Sequence, residues 1–169
     1  MITLLQQLKD MGINAVVAGG AIRDKVRGVS PEDIDVWLLG DTSNVNPDVL
    51  ASLLMDAKVF DNDDSDYFDV RVLVKGYYVD STGVNRKVDI IIPWVHYNSA
   101  IELVGTFDYN INQGFVGIDC GFYQPDLSEL RVINPKRVDP ERHARFKAMV
   151  QYYNDQEAVR QTLANNKAH

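Results

Sequence analysis

Asp33 and Asp35 stand two apart in the run DIDVWLLG, and Asp89 stands inside the apolar run KVDIIIP. Side chains on a strand alternate faces, so Asp33 and Asp35 project from one surface. An acid within a buried strand needs a partner, because an unpaired carboxylate among apolar groups is costly. Like charges this close repel unless something positive lies between them. Three carboxylates converging from neighbouring strands would make a hard, all-oxygen site suited to Mg²⁺ or Mn²⁺. Two such ions can lower the pKa of an attacking hydroxyl and neutralise charge on a leaving pyrophosphate. Taken alone, the Asp33 and Asp35 pair also fits a solvated strand end.

Upstream, the apolar run VVA ends at Gly19-Gly20 and is followed by AIRDKVRG. A strand that ends in two glycines and turns into a helix lets the backbone approach a ligand, and free N–H groups at the helix start can cradle a phosphate. Arg23, one turn further on, adds a charged contact. A plain turn explains Gly-Gly equally well. The missing third glycine argues against a dinucleotide fingerprint, and no Gly-Lys-Ser/Thr follows to make a P-loop.

These residues need elements to hold them. Apolar spacing predicts a helix over residues 2–11, a strand over 15–18 and a helix over AIRDKVRG. DIDVWLLG reads as a strand with Ile34, Val36 and Leu38 on one side and Asp33, Asp35 and Trp37 on the other. A helix from Asn46 or Pro47 through Met55 leads to a strand around AKVF. YFDVRVLVKGYYV and NRKVDIIIP pair as long strands about the turn DSTG. Residues 98–104 form a short helix, and GFVGIDCGFY one further strand. From Asp139 onward the chain is helical, with Pro140 in the first turn and a break expected near Asn154-Asp155. The acidic run DNDDSD, residues 61–66, is a loop without the continuation of a calcium-binding loop. The fold class expected is α/β (α+β), a mixed sheet of about five strands flanked by helices, with a short C-terminal helical appendage.

With 169 residues and 46% hydrophobic content, the chain can bury one sizeable core. The start MITLLQQLKDMG is too often interrupted by polar residues for a signal or a membrane span, so a cytoplasmic protein with no membrane partner is expected. Cys120 is the single cysteine, which excludes a disulfide framework, and the three histidines are scattered. The net charge of −7 argues against nucleic acid at first sight, yet residues 131–169 carry eight Lys/Arg and only four Asp/Glu. That excess suits either a phosphate-facing helix or a solvated one.

GGAIRD followed by PEDIDVWLLG resembles the signature of the class II nucleotidyltransferases, the CCA-adding enzymes and bacterial poly(A) polymerases within the DNA polymerase β superfamily. TFDYNINQ resembles the family's Arg-Arg-Asp-Phe-Thr-Ile-Asn-Ala segment, matching at Asp108, Ile111 and Asn112. VDPERHARF resembles its Glu-Asp-Pro-Leu-Arg-x-Leu-Arg stretch, matching at Asp139, Pro140, Arg142 and Arg145. The resemblance spans residues 14–150. It implies a catalytic head over residues 1–135 and part of a helical neck over residues 136–169.

It also implies metal-dependent transfer of an NMP from an NTP to an acceptor hydroxyl, with Mg²⁺ or Mn²⁺ held by Asp33, Asp35 and a third acid, for which Asp89 is the candidate. Gly19, Gly20, Arg23, Asp24, Asp108, Asn112, Arg142 and Arg145 would then be nucleotide-binding. Partners implied are an NTP such as ATP and an RNA (tRNA-like) 3′ end, with a protein hydroxyl as the rival acceptor and a non-catalytic nucleotide-, RNA- or protein-binding module as the other reading. Thr106 and Phe107 stand where the family has two arginines, which removes positive charge expected near the phosphates.

Overall fold

The computed structural model describes residues 1–61 and 69–168. Its elements are α1 (Ile2–Asp10), β1 (Asn14–Ala18), α2 (Gly20–Val26), β2 (Asp33–Leu39), α3 (Pro47–Ala51), β3 (Met55–Asp61), β4 (Val70–Val79), β5 (Asn85–Pro93), α4 (Ala100–Val104), β6 (Phe115–Gly117), β7 (Gly121–Tyr123) and α5 (Pro140–Lys167). Short 3₁₀ turns cover Asn110–Asn112 and Pro135–Arg137. The DNDDSD loop lies outside the described residues except for Asp61, which ends β3.

Among the described residues seven strands form one mixed sheet in the order β3-β4-β5-β2-β1-β6-β7, more than the five or so expected. β2 and β5 run parallel and the other neighbours antiparallel. The crossover from β2 to β5 passes through α3 and the β3–β4 pair, so the two acid-bearing strands end side by side although some fifty residues separate them in sequence. At DSTG, Asp80 Oδ1 accepts from the N–H groups of Thr82 and Val84 at 2.9 and 3.1 Å, closing the β4–β5 hairpin.

Strand parity decides the rest. Ala15, Val17, Ile34, Val36, Leu38, Val72, Val74, Val88, Ile90 and Ile92 lie on one face and pack against Leu4, Leu5 and Leu8 of α1, Ala21 and Ile22 of α2 and Leu50 of α3. The other face splits in two. Val16, Ala18, Leu39 and Trp37 are covered by Ala100, Leu103 and Val104 of α4 together with Tyr97 and Phe107. Asp33, Asp35 and Asp89 share that face, where neither apolar cluster includes them. A third cluster of Tyr109, Ile111, Leu127, Phe146 and Val150 ties the first half of α5 to the sheet domain.

Two local expectations are corrected. GFVGIDCGFY is a hairpin of two short strands, because Gly121 takes φ +73° and reverses the chain so that Phe115 pairs with Tyr123. α5 runs unbroken through Asn154-Asp155: Gln151 bonds to Asp155 one turn on at 2.9 Å, and Asn154 Nδ2 reaches the Ser128 carbonyl at 2.8 Å. Polar side chains used this way do not compete with the helix backbone.

Gly19 and Gly114 fix the turn between β1 and α2. Gly19 takes φ +97°, a conformation that L side chains rarely adopt, and donates its N–H to the Gly114 carbonyl at 3.1 Å. A Cβ on Gly114 would lie 2.5 Å from Ile22 Cγ2 and 2.7 Å from Pro125 Cδ. Gly114→Ala is therefore expected to cost about 1–3 kcal/mol by overpacking, read from urea denaturation midpoints.

Candidate active site

Cross-strand register gathers the acids. Asp35 of β2 lies beside Asp89 of β5, which lies opposite Lys75 of β4; two residues along, Asp33 lies beside Lys87, which lies opposite Tyr77. Lys75 Nζ is 3.3 Å from Asp89 Oδ2, and Lys87 Nζ is 3.4 Å from Asp33 Oδ1. Asp89 Oδ1 is buried with no hydrogen-bond partner among the described residues. Asp35 is pushed up to about 7, first by burial and then by the charges of Asp89 and Asp33, with Lys75 pulling the other way.

Among the described residues no group of three His, Cys, Asp or Glu side chains could hold a metal ion as it stands. Asp33 and Asp89 each direct an oxygen to a lysine instead. The donor set nevertheless fits a divalent cation. It is all oxygen, it has an orphaned buried acceptor in Asp89 Oδ1, and burial together with the charges of Asp89 and Asp33 raises the pKa of Asp35 to about 7, a shift that a bound cation would oppose.

Asp33 and Asp35 open into a cleft of about 910 Å³. Gly19, Gly20, Arg23, Asp24, Asp108, Asn112, Arg142 and Arg145 line the same cleft, so the structure brings together the residues singled out in the sequence except Asp89, which lies beside Asp35 on the next strand but does not itself line the cleft. The Gly19 N–H is not available to a phosphate, since Gly114 accepts it. Asp108 and Asn112 are buried and already engaged. Asn112 accepts from Arg23 Nη1 at 2.6 Å and donates to Asp108 Oδ1 at 2.9 Å, while Arg142 Nε lies 2.6 Å from Asp108 Oδ2. Asp24 is held by Arg23 Nε at 3.0 Å and Arg27 Nη1 at 3.1 Å. These three therefore orient arginines. Burial holds the Arg23 guanidinium below its ordinary value, against the opposing pull of Asp24, but arginine keeps its charge in proteins.

Phe146 is the centre that sequence reasoning missed. The guanidinium carbons of Arg23, Arg142 and Arg145 stand 5.2, 5.0 and 5.1 Å from its ring centroid, and Tyr109 meets it edge-on at 5.2 Å. A buried ring gives three cations a favourable surface. Asp24 and Asp108 offset two of the three charges through their ion pairs with Arg23 and Arg142. The spacing Arg142-x₃-Phe146 on a helix was the available signal, since residues four apart share a face. Lys136 and Arg137 also line the cleft, Arg137 in an ion pair with Asp69, and the basic excess after residue 131 pointed to them.

At the positions of the missing arginines, Phe107 packs on Trp37 with centroids 5.6 Å apart, and both line the cleft. His143, on α5, places its Nδ1 3.0 Å from Tyr109 Oη. Trp94 and Tyr152 are more than half exposed and do not line the cleft.

Solved structures of CCA-adding enzymes share this arrangement of sheet and helices. One in complex with ATP matches with a TM-score of 0.60 at 17% identity, over 90% of this chain and 37% of that one. A tRNA-processing enzyme with CTP matches with a TM-score of 0.57 at 17% identity, over 89% of this chain and 42% of that one. The Thermotoga maritima CCA-adding enzyme complexed with tRNA matches with a TM-score of 0.51 at 16% identity, over 78% of this chain and 31% of that one. The fold is nucleotidyltransferase-like. This chain covers well under half the length of each of these enzymes. No protein-family model matches the sequence, and no curated protein matches it either. Within the nucleotidyltransferase-like fold, no helix among the described residues is long and apolar enough to cross a membrane.

Proposed function

We propose that the chain is a metal-dependent nucleotidyltransferase that moves an NMP from an NTP to an acceptor hydroxyl, with an RNA 3′ end as the leading acceptor, in the cytoplasm. One observation carries this reading: a single cleft combines a row of carboxylates with three arginines gathered on one buried ring. A ligand that is both polyanionic and metal-bound suits such a cleft, and a metal-complexed triphosphate is both. Residues 1–135 act as the catalytic head, and the helical segment 136–169 lends it Arg142 and Arg145.

Asp33, Asp35 and Asp89 would hold Mg²⁺ or Mn²⁺, which would lower the pKa of the acceptor hydroxyl and screen charge on the leaving group. The acceptor oxygen bonds to the α-phosphorus while the bond from that phosphorus to the bridging oxygen breaks. Pyrophosphate departs with those electrons, and the hydroxyl proton passes to solvent. Arg23, Arg142 and Arg145 position the triphosphate and stabilise charge building on its oxygens. Asp24, Asp108 and Asn112 keep those guanidiniums aimed, Gly19 shapes the turn, and Gly20 lets the backbone approach the phosphates. Trp37 and Phe107 offer an apolar wall on which a base can stack.

Incubation with Mg²⁺, each α-labelled NTP and either total tRNA or cell extract tests the proposal. The expected result is labelled RNA that disappears with Asp33→Ala. Label on protein instead would move the acceptor to a protein hydroxyl. Nucleotide binding without transfer to any acceptor would make the chain a binding module.

A further inference from the structure

The two lysines beside the acid row come from the sheet itself. Register places Lys75 opposite Asp89 and Lys87 beside Asp33, so both ammonium groups are delivered to the same face as the carboxylates. Lys75 Nζ sits 3.3 Å from one oxygen of Asp89, and the other oxygen of Asp89 is buried without a partner among the described residues. The Lys75 side chain is 43% exposed and that of Asp89 only 15%. The acid is thus fixed and the lysine is free to leave, since a flexible stem can return its ammonium to water at small cost.

We propose that Lys75 is a resident counter-ion at Asp89, and that a divalent cation binds this acid by displacing the Lys75 ammonium into solvent. The inference rests on the nucleotidyltransferase reading above. Three carboxylates with two ammonium groups attract a bare divalent cation far less than three carboxylates alone. Displacement turns that weak attraction into a requirement for help, which a triphosphate gives by adding its own oxygens to the ion. Metal and nucleotide then strengthen one another's binding, by equal factors in both directions. Lys87 acts the same way at Asp33 but more weakly, since both members of that pair are about half exposed.

Mn²⁺ binding measured by electron paramagnetic resonance without any nucleotide tests this directly. Lys75→Met is expected to bind Mn²⁺ about three- to tenfold more tightly than the wild type, and Lys75→Gln likewise, while Lys75→Arg binds no more tightly. Adding Asp89→Asn to Lys75→Met should erase the gain. A non-hydrolysable ATP analogue should tighten Mn²⁺ binding more in the wild type than in Lys75→Met. Wild-type Mn²⁺ binding that weakens with Asp35→Asn, yet is not tightened by Lys75→Met or Lys75→Gln, overturns this inference and leaves the nucleotidyltransferase reading standing. Failure of every variant to bind Mn²⁺, with or without the analogue, overturns both.

Discussion

Asp35→Asn is expected to lower the rate of nucleotidyl transfer by about 10³-fold or more, since it removes a charge that holds the metal at the reacting phosphate. The same substitution is expected to stabilise the metal-free protein. Burial and two neighbouring carboxylates raise the folded-state pKa of Asp35 from 3.8 to about 7. Between those values the unfolded chain has lost the proton and the folded chain keeps it, so wild-type stability falls as pH rises across that window and levels off above about pH 7. Asn carries no such titration. In the presence of a chelator, Asp35→Asn should gain about 2–4 kcal/mol over the wild type at pH 8 and little at pH 4. Urea denaturation at both values checks it. The pairing of lost activity with gained stability separates a site strained for function from an acid that merely supports the fold.

Phe146→Ala is expected to be the most destabilising single truncation in the cleft. Its side chain is 1% exposed, meets Tyr109 edge-on and carries three guanidinium groups on its ring. Removing it leaves a cavity worth about 3–5 kcal/mol and frees Arg23, Arg142 and Arg145 from their shared surface. Phe146→Leu separates the two effects. It restores most of the volume, at a cost of about 1–2 kcal/mol, but supplies no π-face. In that variant the denaturation midpoint should move modestly while KM for the NTP rises about tenfold, with a smaller change in kcat.

Where residues act through period-2 alternation, the site was legible in the sequence. Parity alone placed Asp33 and Asp35 on one face of β2, and the apolar run around Asp89 marked β5 as a buried strand that had to put its acid somewhere. Counting outward from DSTG as a four-residue turn would set Lys75 opposite Val88; the turn takes in Val84 as well, and that one-residue shift, which sets Lys75 opposite Asp89, was not legible in the sequence. What alternation cannot supply is the pairing of β2 with β5, because a parallel neighbour is fixed by the crossover through α3 and the β3–β4 pair.

Helix periodicity served less well. It identified α5 but predicted a break at Asn154-Asp155, where the tertiary bond from Asn154 to the Ser128 carbonyl outweighs the local turn preference. The arginine cluster was invisible for a related reason. Arg23 and Arg142 come from opposite ends of the chain, and only the packing of Phe146 against Tyr109 and Ile111 brings them to one ring. Asp108 and Asn112 were singled out by motif, but nothing in TFDYNINQ shows that their polar atoms are engaged by Arg142 and Arg23.

The most direct test of the account follows the fate of the two ends of the triphosphate. The chain is incubated with Mg²⁺ and tRNA lacking its 3′-terminal nucleotides, using ATP or CTP labelled at either the α- or the γ-phosphorus. The expected result is α-label attached to the RNA and γ-label released as pyrophosphate in equal amount, with both signals lost in Asp33→Asn or Asp35→Asn. Transfer of the γ-label to an acceptor, or attachment of α-label undiminished by either aspartate substitution, would contradict it.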